Sequence, residues 1–402
     1  MTVIDRPQRL ILLLAALTAF GALSIDLYLP SLPAIAADLG APESAIQLTI
    51  GVFLGGISAG MLLYGPLSDR FGRRRLLLGG ILLYVLASLG CAMAANAHQL
   101  TGLRLVQALG AAAATVLARA IVRDVFAASQ AARTLSLMHL VTMVATLIAP
   151  VMGSYLMLLA GWRWLFVALA AYALVCLCCV YRAIPETHPA QRRGESVSRA
   201  FKAYGSLLCN AHAVGLILCM SLCFAGMFAF ITSSPFIYID YFGVSAQRYS
   251  LLFALNISGV MVVTLANARL VTRVGPHRML VFGVLMAAIS GVGLLIVGMN
   301  EVGGLTAIVV GLLCYISVTG LLGANCLARL LGDFPEQAGA AAGLAVATQF
   351  GLGMLASAWA SAWHDGTPLP MTQIIAITGI GSALAYLLAC LTHAPSASDQ
   401  GE

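Results

Sequence analysis

Twelve apolar runs, each long enough to cross a bilayer, constrain this chain more tightly than any of its other features. They fall near residues 10–36, 46–66, 76–95, 100–121, 135–157 and 163–183 and, after a polar gap, near 211–239, 249–270, 279–299, 303–328, 339–361 and 372–392. A spanning helix needs about 20 mostly apolar residues. Lipid offers backbone N–H and C=O groups no partners, so runs of this length have to be helices that satisfy those groups internally. Only 9% of the 402 residues are charged, against about 25% in soluble domains. That leaves too little polar surface for a water-soluble fold of this size. The 40 glycines are abundant inside the runs, as expected where helices pack closely through small residues. The expected fold class is an all-α integral membrane protein with twelve transmembrane helices.

Charge then sets topology. Lys202 is the only lysine, and the net charge of +6 comes almost wholly from arginine. With the N-terminus in the cytoplasm, eighteen of the 21 basic residues fall on the cytoplasmic side; Arg163 and Arg248 lie outside, and Arg104 lies within a run. This is the positive-inside pattern, so the basic balance reports topology rather than nucleic-acid binding. Twelve spans return the C-terminus to the cytoplasm as well. The opening stretch "MTVIDRPQRLILLLAALTAF" has the charge layout of a secretory signal. Its apolar run, however, reaches Leu29, well past the roughly 7–15 residues of a cleaved signal core, so it reads as a retained first helix.

The ten cysteines lie mostly inside apolar runs. Cys219 and Cys223 would share a helical face, a spacing that a soft metal accepts. No histidine or acid completes a ligand set near them, so packing is the expected role. No phosphate loop, histidine-rich metal set or nucleophile motif appears, so the expectation is a protein without enzymatic activity, cofactor or metal.

The polar gap divides the chain near its middle, giving an expected N-terminal six-helix bundle at 1–184, a cytoplasmic linker at 185–206, a C-terminal six-helix bundle at 207–395 and a cytoplasmic tail at 396–402. The halves echo each other. In "GPLSDRFGRRR" (65–75) and "ARLVTRVGPHR" (268–278), Leu, Arg, Gly and Arg recur in register at an offset of 275 − 72 = 203. Two halves repeated in parallel orientation are the layout of a transporter that rocks around a central cavity. A channel or receptor leaves the repeat unexplained.

Within the first run, "LSIDLYLPSLP" (23–33) carries one acid, Asp26, ahead of Pro30 and Pro33. A carboxylate at bilayer depth costs about 3 kcal/mol and is by default a functional candidate. Asp26 follows Arg9 by 17 residues, roughly 25 Å up a helix, in the outer part of the membrane. Its alternative reading is a wet acid at the external headgroup level. The two prolines remove backbone donors and should break the helix locally. Arg104 precedes Arg123 by 19 residues, roughly 28 Å, which puts it at a similar depth. It is either a guanidinium with a partner in the membrane or an interfacial arginine snorkelling outward. Paired, the two suggest a mechanism. An arginine keeps the carboxylate ionised, and its pKa climbs when that influence is lost or a drug desolvates the acid. Proton and substrate would then exclude each other.

The "GPLSDRFGRRR" loop resembles the cytoplasmic loop motif of the major facilitator superfamily, "LRLVQALGAAAA" (103–114) resembles the fourth-helix motif of its proton-coupled members, and "LIAPVMGS" (147–154) resembles the fifth-helix antiporter motif. "DLYLPSLP", "ARAIVRDVF" (118–126) and "IPETH" together resemble the bicyclomycin and chloramphenicol resistance subgroup of drug:proton antiporters. Ala149 and Ser154 stand where the antiporter motif usually has glycine, and Thr18 stands where some related exporters carry a second acid.

The resemblance implies a proton-driven exporter of small lipophilic compounds in a bacterial inner membrane, working as a monomer. It implies that Arg104 lies beside the pocket as partner to Asp26. Substrate-binding candidates on the implied cavity helices are Asp26, Phe53, Gln107, Thr142, Phe230, Tyr238, Asn256, Gln349 and Phe350. The expected cytoplasmic gate comprises Gly65, Asp69, Arg70, Gly72, Arg73 and Asp124: Gly65 and Gly72 allow close packing and a tight turn, Asp69 caps the N-terminus of the eleventh helix, and Arg73 pairs with Asp124. Pro150 and Gly153 of the antiporter motif should bend or thin their helix into a leak-tight seam, and His139 in the same run reads as structural. Two rivals remain on the same scaffold: an exporter of a metabolite such as an amino acid or sugar, and a nutrient-importing facilitator.

Overall fold

A computed structural model describes residues 7–187, 197–300 and 302–392. The expected tail at 396–402 and much of the linker lie outside the described residues. Each apolar run forms a helix. The first, α1, is a broken stack of short segments, Pro7–Thr18, Phe20–Asp26, Leu29–Ser31 and Leu32–Asp38. The break follows Asp26, where Pro30 and Pro33 remove donors, as expected. Then come α2 (Glu43–Phe71), α3 (Arg73–Ala92), α4 (Ala97–Val125), α5 (Ala128–Ala160) and α6 (Arg163–Ala183). In the second half are α7 (Ala211–Pro235, ending in a wider π-type turn over Phe236–Tyr241), α8 (Ala246–Val274), α9 (Pro276–Asn300), α10 (Gly304–Ser317 and Thr319–Asp333), α11 (Ala338–Ala362) and α12 (Leu369–Leu391). The linker contains a further helix, Val197–Leu208, that the sequence reading left as connection.

The first six helices pack mainly on one another, with α4 against α2 and α3, and α3 against α6; in the second half α12 packs on α7 and α9. Small residues permit this. A Cβ on Gly60 of α2 would lie 2.3 Å from Ala112 of α4, so the two backbones approach as closely as glycine and alanine allow. The repeat is visible in the backbone. Gly72, between α2 and α3, has φ 93° and ψ 149°. Gly275, 203 positions on between α8 and α9, has φ 88° and ψ 149°. Both positions need a backbone that residues with a Cβ rarely adopt.

The two ends of the molecule differ. At the arginine-poor end the halves are bridged. The His364 imidazole lies 2.6 Å from Glu43 and 3.2 Å from Gln47, and the Ser361 hydroxyl donates to the Ser44 carbonyl at 2.6 Å, all between α2 and the end of α11. The Ser250 hydroxyl of α8 donates to the Pro150 carbonyl of α5 at 2.9 Å. At the arginine-rich end a cleft of about 750 Å3 lies between the α2–α3 loop, the linker helix and the start of α11. The chain is therefore closed at one end and open at the other.

Candidate functional site

Asp26 is 4% exposed and lines a cavity of about 200 Å3 between the halves. Thr146 of α5 is the hydroxyl beside its carboxyl, and Tyr249 of α8 lies nearby. The second half contributes an aromatic wall. Phe224 and Phe228 of α7 meet edge to face with ring centroids 5.1 Å apart, and Phe350 of α11 sits 5.8 and 6.0 Å from them. Thr18, Thr142 and Arg119 line this cavity too, and they also line an adjoining one of about 270 Å3 that includes His139. Among the candidates named from sequence, Asp26, Thr142 and Phe350 meet at the cavity.

Arg104 does not pair with Asp26. It is fully buried inside the first half. Its guanidinium donates to Gln107 Oε1 at 2.7 Å and faces the rings of Phe53 (4.2 Å), Tyr28 (4.8 Å) and Phe166 (5.9 Å). Gln107 in turn donates to Ser88 at 2.8 Å, the Ser88 hydroxyl donates to the Tyr84 carbonyl at 2.7 Å, and the Tyr84 hydroxyl meets Ser24 at 2.6 Å. The physical reason is helical register. Ser24 and Tyr28 share a face of α1, while Asp26, two residues along, points about 200° away. Arg104 therefore grips the back of the segment whose front presents Asp26. The unpaired Nε and Nη2 atoms of Arg104 face this aromatic cage, where ring quadrupoles receive the cation.

Six substrate-binding candidates are placed away from the cavity in this conformation. Phe53 and Gln107 belong to the Arg104 cage. Phe230 stacks on Phe253 at 5.9 Å, and Tyr238 packs edge to face on Tyr249 at 5.9 Å. Asn256 is buried and donates to the Leu252 carbonyl of its own helix at 3.1 Å. Gln349 is buried on the face of α11 near Gly323. Each fills a helix contact, so none lines the space where a ligand fits.

At the arginine-rich end Arg73 meets Asp124 at 3.1 Å and Asp69 at 2.6 Å, and it donates to the Ser68 hydroxyl. The backbone N–H groups of Arg73 and Arg74 donate to Glu186 at 2.9 and 3.3 Å. Asp69 does not cap α11, whose N-terminus has no capping side chain. The cleft lies between them. Gly65 has open space where a Cβ would be, so the close packing expected of it is absent in this state. Arg70 lies over the Phe71 ring at 5.3 Å. Tyr204 of the linker helix approaches Gly343 of α11; burial and the nearby Asp69 raise its phenol above the usual range. In α5, a Cβ on Gly153 would lie 2.0 Å from the Leu27 carbonyl oxygen. That glycine and the Pro150–Ser250 bond make α5 a tight seam against both α1 and α8.

Several residues of this site escaped the sequence reading: Arg119, which it counted only as a topology marker, Thr115, Thr146, Phe224, Phe228 and the cluster around His364 at the arginine-poor end. The available signal was polar or aromatic pairs four residues apart within apolar runs, Thr115/Arg119, Thr142/Thr146 and Phe224/Phe228, which place one face of a helix toward a cavity.

A cavity between two repeated halves, closed at one end and open at the other, is transporter architecture, and a family model described as Major Facilitator Superfamily matches residues 12–358. The chain belongs to the Major Facilitator Superfamily. It is 33% identical over 377 residues, 93% of each chain, to an uncharacterized MFS-type transporter, YdgK, of Bacillus subtilis. It is 29% identical over 380 residues, 94% of each chain, to a bicyclomycin resistance protein homolog of Haemophilus influenzae. A chloramphenicol resistance protein of Pseudomonas aeruginosa is 36% identical over 271 residues, 66% of this chain and 62% of that one. The partially occluded, inward-open xylose transporter XylE of E. coli superposes with a TM-score of 0.71 at 16% identity, covering 97% of this chain and 98% of that one. This major facilitator protein is thus a multi-pass membrane transporter.

Proposed function

We propose that the chain is a proton-driven exporter of small lipophilic compounds across a bacterial inner membrane, with both termini and the arginine-rich end in the cytoplasm. The N-terminal bundle comprises 1–184 and the C-terminal bundle 207–395, joined by the cytoplasmic linker. The observation that carries this reading is Asp26: a buried carboxyl, the one acid among the described residues lining a cavity walled, apart from Arg119, by apolar, aromatic and hydroxyl side chains. The resistance-protein names of relatives matched over most of their length point the same way.

The mechanism follows from competition for one carboxyl. In the inward-open state water reaches Asp26 through the cytoplasmic cleft, and the acid releases its proton inward. A lipophilic substrate entering against Phe224, Phe228 and Phe350 takes the ionised carboxylate as its polar anchor, so that the carboxyl cannot hold a proton at the same time. The halves then close over the cytoplasmic side, Asp69 reaching the α11 N-terminus, and the external bridges open. Substrate leaves outward, and Asp26, again beside outside water, takes up a proton for the return. Substrate and proton alternate on one carboxyl. Arg104 acts as a positioning residue: through Tyr28 and the Tyr84–Ser24 chain it fixes the face that α1 turns to the cavity. One charge moved across about 100 mV is worth about 2.3 kcal/mol, enough for a nearly fifty-fold substrate gradient at 1.4 kcal/mol per tenfold.

The test is transport in proteoliposomes with chloramphenicol as probe. Accumulation that follows an imposed proton gradient and stops when that gradient is collapsed supports export by antiport. Transport that persists at full rate without a gradient favours a facilitator. Uptake and exchange of an amino acid or sugar, with none of chloramphenicol, favours a metabolite carrier.

A further inference from the structure

Arg119 lines both adjoining cavities, and no hydrogen bond or ion pair reaches it from any of the described residues. Its charged neighbours are Arg123 and His139, one a cation and the other able to become one. The helix places it six residues, roughly 9 Å, inside the cytoplasmic end of α4. A topology signal needs no such placement, since seventeen other basic residues already lie on that side. A guanidinium held in a membrane cavity finds an anion, a dipole or water, and the hydroxyls of Thr18 and Thr142 flank the same space.

The same cavity carries the opposite charge at its other end. Thr18, beside Arg119, and Asp26 are eight residues apart on α1, roughly 12 Å of helix. The aromatic wall lines the same cavity. The space is thus bipolar along its length: a cation donor fork at the cytoplasmic end, a carboxyl at the outer end and rings on its wall.

We propose that Arg119, with Thr18, Thr142 and His139, is the docking site for an anionic group of the substrate, and that among the lipophilic compounds it admits the cavity prefers zwitterionic aromatic ones, with a carboxylate toward Arg119 and a protonated amine toward Asp26. This rests on the export reading and specifies its substrate class. The amine is the end that competes with the proton on Asp26, so antiport is preserved. The carboxylate end gives charge-assisted, fork-shaped recognition without touching the coupling group.

The experiment uses full-length purified protein and two probes, norfloxacin, a quinolone carboxylic acid with a basic piperazine amine, and its ethyl ester, which keeps the amine and rings and lacks the carboxylate. Equilibrium dialysis of the wild type should show tighter binding of the acid by about tenfold or more, the factor of one charge-assisted contact. Arg119→Gln should bring the two compounds to within about twofold by weakening the acid alone. Arg119→Lys should retain part of the preference. Unchanged ester binding and monodisperse elution establish that the variants fold; if Arg119→Gln does not, the wild-type ratio and Arg119→Lys decide the matter. A wild type that does not prefer the acid, that binds neither probe, or an Arg119→Gln that keeps the full preference overturns the assignment. The two readings fail separately. Proton-coupled export of the ester with no acid preference removes the Arg119 site and leaves export standing. A clear acid preference in a protein that moves no compound against a proton gradient does the reverse.

Discussion

Removing the His364 imidazole should open the arginine-poor end, the external end in the proposed orientation. His364 joins the end of α11 to the start of α2 through Glu43 at 2.6 Å and Gln47 at 3.2 Å. These contacts exist only while the external halves meet, so their loss acts on the conformational equilibrium rather than on the fold of either half. A hydrogen bond to a charged group contributes about 1.5–3 kcal/mol when dry. Glu43 is 39% exposed, and solvent reclaims part of that, leaving about 1–2 kcal/mol, a factor of about 5–30 in a two-state ratio. The assay is distance measurement between spin labels at Ala41 and Thr367, in a background lacking the ten native cysteines. The wild type should give one short distance, and His364→Ala a second, longer population. Glu43→Ala should do the same to a lesser degree, and the double variant should be little different from His364→Ala alone, because both lose the His364–Glu43 bond. Unchanged distances in both single variants, or fully additive effects in the double, would refute the reasoning.

Arg104→Ala should abolish transport, and Arg104→Lys should recover little of it. A compact ammonium cannot lie flat among three rings while donating to Gln107, and substrate flux in proteoliposomes reads the loss directly. Asp69→Asn should disfavour cytoplasmic closure by up to about fivefold, the worth of a charge at a helix N-terminus, because α11 has no acid in its first turn. Cysteine-modifier access at Gly339 reports that shift, and equilibrium substrate binding should stay within about twofold of wild type.

The number and length of the spans were legible because the bilayer imposes a length threshold that each run meets. The break in α1 was legible because proline lacks a donor. The linker helix was not, since a short, charged stretch of residues has no such threshold to meet. Depth was readable for Asp26 and Arg104 from residue counting, but azimuth was not. At 100° per residue, two positions at one depth face apart as readily as together, and Ser24 and Tyr28 rather than Asp26 turned out to face Arg104. The same ambiguity leaves Phe53 and Phe230 away from the cavity in this conformation. In a membrane bundle both the lipid face and the interior accept aromatic residues, so composition does not say which ring meets the cavity. The His364 cluster joins residues 321 positions apart, and no local pattern announces such a pairing.

The central claim is that one carboxyl couples the two gradients, and it is tested most directly by proton movement. Proteoliposomes containing wild-type protein and a trapped pH indicator should discharge an imposed proton gradient when chloramphenicol is added. Asp26→Asn should not, because an amide neither takes up nor releases a proton, while chloramphenicol binding to the purified variant stays measurable. Asp26→Asn vesicles that discharge the gradient at the wild-type rate would contradict the account.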